Sequence, residues 1–401
     1  MSIALLEKLP EFPIEIPKGT DIYRFVRRLR ETSPLAQGPF NQVIALRHRH
    51  FELITSAATK QWEVEFLLQQ GITSGPIYEG QRNNVLFSNG DVHMRRRAPL
   101  ARTFAFKLMD AMRPRITVLV SEMVRKHIGK PSVDFLNEIA AILPAMIIAE
   151  VLGVPESDLP VFLQFIPAVA ESLAPITPGR REPVERILKE FQSNVQNLIN
   201  SRRQKPADDF LSRLVAETDA SLELTESEVR EQVSALIVAG SDTTRGTLCM
   251  TLSTLLQHPE QWQAFCADPD RLKRNVVQEG LRFEPVVGGI PRIAAEDLDI
   301  EGHRVAKGSV LLFSVISALR DPETYADPET FNIHRTDHPK WHPIFGAGAH
   351  RCLGEALARA ELEEALVAIA RLAPNTRLVG APPKLSDIGL RQVDQMQVAF
   401  A

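Results

Sequence analysis

The tract from Thr225 to Pro259 constrains the fold more than any other part of this chain. Thr225 and Glu228 have the spacing of a capping box, and Pro259 marks a boundary past the far end. The pattern predicts one continuous helix about 48 Å long at ~1.5 Å per residue. Its middle is apolar nearly all round, so it must run through a core rather than lie on a surface. With 401 residues, 44% of them hydrophobic, the chain can build the large core that such a helix needs.

Most of the remaining chain also reads as helix. Val184 to Arg203 has apolar residues at helical spacing and a charged opposite face. Ile139 to Leu152 is nearly all apolar and predicts a buried helix. The tract from Ile300 to Leu319 differs: Gly302 and Gly308 punctuate short β-rich runs, notably Val310 to Ile316. Short strands are also expected at Val43–Leu46, Leu53–Thr55 and Gln395–Phe400. Ala174 to Pro183, rich in proline, reads as a loop between helices and a candidate lid. The fold class expected is mainly α with small β-sheets (α+β), with no internal repeat and no low-complexity linker.

Two stretches carry unusual chemistry. The first lies inside the long helix, at Ala239-Gly240-Ser241-Asp242-Thr243-Thr244, which is poor helix-building material. A threonine hydroxyl there can bond the carbonyl four residues back, that of Ala239, and loosen the ladder. The cluster reads either as a tolerated kink or as a functional distortion, and the apolar residues on both sides weaken the first reading. The second is Phe345-Gly-Ala-Gly-Ala-His-Arg-Cys352-Leu-Gly354. Its glycines let backbone N–H groups turn toward a thiolate sulfur. That suits a metal held at one axial position and does not suit tetrahedral zinc. A dinucleotide fingerprint would need a third glycine where Arg351 stands. Taken alone, Cys352 reads as a small buried hydrophobe.

Charge and cysteine content narrow the class. A net charge of −4 provides no uniform positive field for nucleic acid. Three cysteines, Cys249, Cys266 and Cys352, make no disulfide framework and fit a reducing compartment. Met1 to Tyr23 is broken by charges and prolines, so neither a membrane span nor a signal peptide is expected there. The expectation is a cytoplasmic monomer.

The cysteine loop resembles the haem-ligating signature of the cytochrome P450 superfamily, the haem-thiolate monooxygenases. Phe345, Gly346, Gly348, His350, Cys352 and Gly354 all match. Ala239-Gly240-Ser241-Asp242-Thr243 resembles the family's oxygen-activating motif. The resemblance implies haem b as cofactor, with Cys352 as axial ligand of its iron. It implies a single P450 domain over residues 1–401, in which the long central helix crosses the haem and the cysteine loop lies beneath it. The smaller β-rich region would come from the N-terminal strands and residues 293–316. Thr243 would lie beside bound dioxygen and Asp242 would feed protons toward it, because heterolysis of the O–O bond consumes two protons in a pocket that excludes water. His93 and Arg97, four apart on one helix face, resemble the family's propionate clamp, with Arg292 and His350 as further propionate ligands. Glu279 and Arg282 resemble the family's Glu-x-x-Arg pair, which Arg335 completes in a structural role. Asn89-Gly90 departs from the usual Asp-Pro before the clamp, and Leu319 stands where asparagine is usual.

Monooxygenation consumes two electrons per turnover. After Cys352 only two cysteines remain, too few for a usual iron–sulfur cluster, and no flavin fingerprint is present. By resemblance to bacterial members, an external ferredoxin and its ferredoxin reductase supply the electrons. Arg95, Arg96, Arg102, Lys107, Lys340 and Arg351 are candidates for a basic docking face. The substrate is expected to be a hydrophobic small molecule that is hydroxylated or epoxidised. Ala235, Val238, Ala239, Val286, Ile290 and Leu390 are the pocket candidates, with Ile77–Leu86, Phe165–Leu173 and Ile388–Arg391 nearby. Arg391 and Tyr78 are candidate polar anchors. A peroxygenase or reductase on the same fold, and a non-catalytic haem sensor, are the alternatives. Peroxygenases of this type lack the acid–alcohol pair, and a sensor would not need Asp242-Thr243.

Overall fold

The computed structural model describes residues 9–13, 16–17, 19–104, 109–172, 176, 179–221, 223–387 and 389–401. The chain forms two compact units. The first takes residues 1–62, 278–352 and 385–392; the second takes 63–277, 353–384 and 393–401.

The first unit is built on a five-stranded sheet. Its order is Leu35–Gln37, Val43–Ala45, Val310–Ser314, Gly289–Ala294 and Thr59–Lys60. Only the pairing of Val43–Ala45 with Val310–Ser314 is parallel. Leu311 and Phe313 alternate into the core, as a strand with one covered face requires. The expected run to Ile316 stops at Ser314, whose side chain accepts from the Ser317 N–H and caps a short helix, Val315–Ala318. The strand expected at Leu53–Thr55 is instead the end of a 3-10 segment, His48–Thr55. Phe51 and Ile54, three apart, are both buried, and that period belongs to a 3-10 turn rather than a strand. The helix Ile22–Thr32 starts at Asp21, which accepts from the Tyr23 N–H at 2.8 Å. It buries Ile22, Val26 and Leu29 in a cluster with Phe12, Ile44, Leu46 and Ile316.

The second unit is mostly helix, with one small sheet of Val133–Asp134, Gln397–Ala399 and Arg377–Leu378. The helix predicted at Val184–Arg203 spans Arg181–Gln204 and buries Val184, Leu188, Phe191, Val195 and Leu198 along one stripe. The apolar run expected from Ile139 begins as a wide π turn over Leu136–Ala140, and the α-helix proper is Ile142–Leu152. The expected strand near Gln395–Phe400 is Gln397–Ala399. Much of the candidate lid, residues 173–175 and 177–178, lies outside the described residues, and Arg181 already begins a helix. Among the described residues no helix is long and apolar enough to cross a membrane.

The single long helix is a correction. It is two helices, Glu226–Ala239 and Asp242–Leu256, separated by Gly240 and Ser241. The Ser241 N–H reaches back only three residues, to the Val238 carbonyl at 3.2 Å. The Ser241 hydroxyl donates to Ile237 O at 2.8 Å and Thr243 Oγ1 donates to Ala239 O at 3.2 Å, so hydroxyls serve carbonyls at the break. A Cβ on Gly240 would lie 3.0 Å from Ile148 Cγ1, so the glycine lets the Ile142–Leu152 helix press against the break. The predicted capping box at the start is present, with Thr225 and Glu228 satisfying each other's backbone N–H groups.

Candidate functional site

In the first unit the cysteine loop is folded by its own backbone. The Cys352 N–H donates to Phe345 O at 2.8 Å and the Arg351 N–H to Gly348 O at 3.1 Å. Trp341 Nε1 donates to Gly346 O at 2.8 Å. Gly346 (φ 64°) and Gly348 (φ 60°) occupy the left-handed region, where a side chain would be strained. His350 closes a 3-10 turn, Gly348–His350, and Gly354 is the N-cap of the helix Glu355–Leu372. The result is an exposed Cys352 at the end of a rigid loop. The other cysteines differ. Burial pushes the Cys249 thiol far up and the Cys266 thiol up to about 11, so both stay protonated.

Arg292, on the strand Gly289–Ala294, is 4% exposed. Its guanidinium donates to Gln61 Oε1 and to Pro291 O, and among the described residues no carboxylate pairs with it. Burial pushes it down to about 10. A buried cation without a counter-charge is costly unless an anion arrives, and a carboxylate-bearing cofactor fits that need.

The Glu279–Arg282–Arg335 cluster is assembled as expected. Arg282 grips Glu279 through both carboxylate oxygens at 2.7 Å, and Arg335 Nε lies 3.3 Å from Glu279 Oε2. The guanidinium groups also donate to the carbonyls of Leu319, Pro328 and Thr330 from Arg282, and of Ala326, Asp327 and Thr330 from Arg335. Leu319, noted above as a departure, therefore contributes only its carbonyl to the network.

His338 Nε2 sits 3.5 Å from Glu279 Oε2, which favours the charged ring, but burial and the two arginines outweigh it. The imidazole is pushed down from 6.5 to about 4 and stays neutral. Between pH 6.5 and 4 the unfolded chain therefore binds a proton that the fold refuses, so stability falls as pH drops through that window and levels off below it. The loss is on the order of 3 kcal/mol. Replacing His338 with glutamine should flatten the fall in melting temperature over this range, and an unchanged slope would assign the acid sensitivity elsewhere.

In the second unit the helix Gly90–Thr103 carries His93 and Arg97. Burial, and then the Arg97 charge, push His93 down to about 4, so the ring is neutral. Asp242 is buried and paired with Arg245 at 2.5 Å. From Glu231 to Leu255 only Ala235, Ala239, Gly240, Thr243 and Arg245 are not buried. Ala235, Ala239 and Thr243 are spaced by four, so they form one open row. Val238 is buried.

Several expectations change. Arg95 and Arg96 are not a free basic face: Arg95 contacts Glu228 at 2.6 and 2.9 Å, and Arg96 at 2.9 Å. Those contacts hold Glu228 down to about 2. Arg102 pairs with Glu217, Lys107 lies outside the described residues, and Lys340 is exposed. Arg391 is no polar anchor for a ligand, because it is buried and its donors reach Ser386 O, Pro285 O and the Tyr23 hydroxyl. Tyr78 packs against an apolar cluster with Leu67, Ile77 and Val184. Val286 is buried, whereas Ile290 and Leu390 are half-buried. Residues missed by sequence reasoning are Arg245, Gln61, Glu228 and Trp341. Arg245 stands three residues after Asp242, an i,i+3 signal that was available; Glu228 was legible only as a helix cap, not as the partner of Arg95 and Arg96, and Gln61 and Trp341 carry no local signal.

The cytochrome P450 family profile matches residues 50–268 and 271–371. The plant-inducible cytochrome P450-pinF1 of Rhizobium radiobacter is 37% identical over 362 residues, covering 89% of this chain and 85% of that protein. The cytochrome P450 monooxygenase PikC of Streptomyces venezuelae is 32% identical over 317 residues, 77% of this chain and 74% of PikC. Among solved structures, CxnD, a P450 for C–S bond formation in chuangxinmycin biosynthesis, superposes with a TM-score of 0.88 at 26% identity, covering 97% of each chain.

Proposed function

The chain belongs to the cytochrome P450 family and is one of its monooxygenases, and we propose that it hydroxylates or epoxidises a hydrophobic small molecule. In this reading residues 1–401 act as one catalytic domain. Two electrons come from a separate ferredoxin and ferredoxin reductase. Haem b is ligated by Cys352, with Phe345, Gly346 and Gly354 shaping the loop around it. His93, Arg97, Arg292 and His350 hold its propionates. Arg292 is the observation that carries this assignment: a buried guanidinium whose described partners are a glutamine and its own neighbour's carbonyl. The neutral state of His93 fits a hydrogen-bond donor in the same role.

Bound haem supplies the redox chemistry by which dioxygen is activated. The chain's own residues handle binding and protons. Of the pocket candidates Ala235, Val238, Ala239, Val286, Ile290 and Leu390, the buried Val238 and Val286 offer little surface; Ala235, Ala239, Ile290 and Leu390 are the ones that present apolar surface to the substrate and keep bulk water away. Thr243 Oγ1 rests on Ala239 O at 3.2 Å, a bond long enough to exchange for a water or a substrate-side acceptor. Asp242, paired with Arg245, would relay protons by swinging away from the guanidinium, taking a proton from solvent-side water and handing that proton on toward the Thr243 hydroxyl, which gives up its own. The Asp242-Thr243 pair favours this reading over a peroxygenase, which has no need of proton delivery.

Replacing Thr243 with alanine should leave haem binding intact and divert electrons into hydrogen peroxide. With a surrogate ferredoxin pair and a substrate found by spin-state shift, product per electron should fall about tenfold or more. Wild-type coupling in that variant would remove Thr243 from the relay.

A further inference from the structure

Two segments of the first unit that the proposed function assigns to the substrate, Val286–Ile290 and the turn carrying Leu390, are joined to each other. The Arg391 N–H donates to Val286 O at 2.7 Å and the Gly288 N–H to Gly389 O at 2.8 Å. Val287 and Leu390 form an isolated antiparallel bridge. A Cβ on Gly288 would stand 3.0 Å from Gly389 O and 3.2 Å from Gly389 N, so the two backbones approach closely enough that a larger residue would crowd them. The turn also closes on itself, with the Ser386 N–H donating to Gln392 O at 2.9 Å and Arg391 Nε to Ser386 O at 2.8 Å.

One polar chain anchors this pair of segments to the N-terminal helix. Arg391 donates through the same nitrogen to Pro285 O at 2.9 Å and to the Tyr23 hydroxyl at 2.8 Å. Tyr23, the second residue of the helix Ile22–Thr32, donates in turn to Glu284 Oε2 at 2.7 Å. Burial, and then Glu284, push the phenol far above its usual range, so Tyr23 keeps the proton it donates. The Arg320 guanidinium lies 3.7 Å from the Tyr23 ring centroid and 4.2 Å from that of Phe283, which holds the ring in place. Glu284 and Pro285 immediately precede Val286. The hydroxyl of Tyr23 therefore links the start of one substrate segment to the end of the other.

We infer that Tyr23 and Arg391 are positioning residues for substrate selection, fixing the spacing between the Val286–Ile290 segment and the Leu390 turn through the Tyr23 hydroxyl. The inference rests on the proposed role of those segments and deepens it. Neither residue touches substrate. A small ligand that needs only the iron would not sense the spacing, whereas a large apolar one that reaches both segments would.

The test uses the haem-loaded full chain with two probes, imidazole and econazole, whose binding to iron is read from the Soret shift. Tyr23→Phe removes one hydroxyl and keeps the ring under Arg320. It should leave the imidazole dissociation constant within about twofold of wild type and weaken econazole by about fivefold or more. Arg391→Gln should do the same more strongly. If that variant loses haem, Tyr23→Phe still decides the matter. Equal affinities for both probes in Tyr23→Phe and wild type, or parallel losses for both, would overturn the inference. Ile290→Phe tests the underlying reading separately. Unchanged econazole affinity there would mean the segment does not line the pocket, and the inference would fall with it. A wild-type protein with no Soret shift for either probe would overturn both.

Discussion

With serine in place of Cys352, the reduced protein exposed to carbon monoxide should lose the strongly red-shifted Soret band of a thiolate-ligated haem, and turnover should fall by about a thousandfold or more, roughly 4 kcal/mol of barrier. Cys352 is exposed at the end of a loop tied by Phe345, Gly346 and Gly348. Cys249 is fully buried, and Cys266 has its thiol raised to about 11 by burial alone. Only a thiolate donates strongly enough to shift the band, and neither of those sites offers one. Cys266→Ser should accordingly leave the spectrum as it is. A red-shifted band that survived in the Cys352 variant would place the ligand elsewhere.

Replacing Arg282 with lysine should cost about 3–5 kcal/mol of stability, because it leaves a buried carboxylate short of its main partner. Arg282 makes two 2.7 Å contacts with Glu279 and donates to the carbonyls of Leu319, Pro328 and Thr330. An ammonium is a point charge with three donors and cannot reproduce that fork. Since domains are stable by only about 5–15 kcal/mol, most haem-loaded protein should be lost. Glu279→Gln should fail similarly, since Arg282 and Arg335 would then face a neutral amide. Denaturation midpoints measured beside the yield of CO-binding protein check both. A midpoint shift close to zero would show that the carbonyls, with Asp337 on Arg335 at 3.1 Å, suffice to hold the two arginines.

Much of this was legible in the residues. The cysteine loop could be read because its requirements are local: glycines at positive φ and a cysteine seven residues after Phe345. The Glu279–Arg282 pair could be read because three residues on a helix share a face. The helix at Arg181–Gln204 was visible in its apolar stripe.

Other features were not legible. The break at Gly240–Ser241 was signalled by weak helix formers, but those same residues are tolerated inside many helices. The break shows only in the folded backbone, where the Ser241 N–H turns to Val238 O, its hydroxyl serves Ile237 O, and Ile148 packs tightly against Gly240. Arg95 and Arg96 were misjudged as free members of a basic docking face because their partner is Glu228, more than a hundred residues away. A charge on a sequence cannot say whether it faces water or another charge.

The sequence by itself therefore determined the local patterns on which the proposed chemistry rests: the cysteine loop, the adjacent Asp242 and Thr243, and most of the helical and β-rich tracts. These depend on neighbours within one turn or one loop, where backbone geometry sets spacing. Tertiary structure alone decided which charges remain available. It closed Arg95 and Arg96 on Glu228, turned Arg391 from a ligand anchor into a clamp on Tyr23, and left Arg292 buried with no carboxylate among the described residues. Burial and long-range pairing set the free energy of a charge, and both are properties of the folded chain.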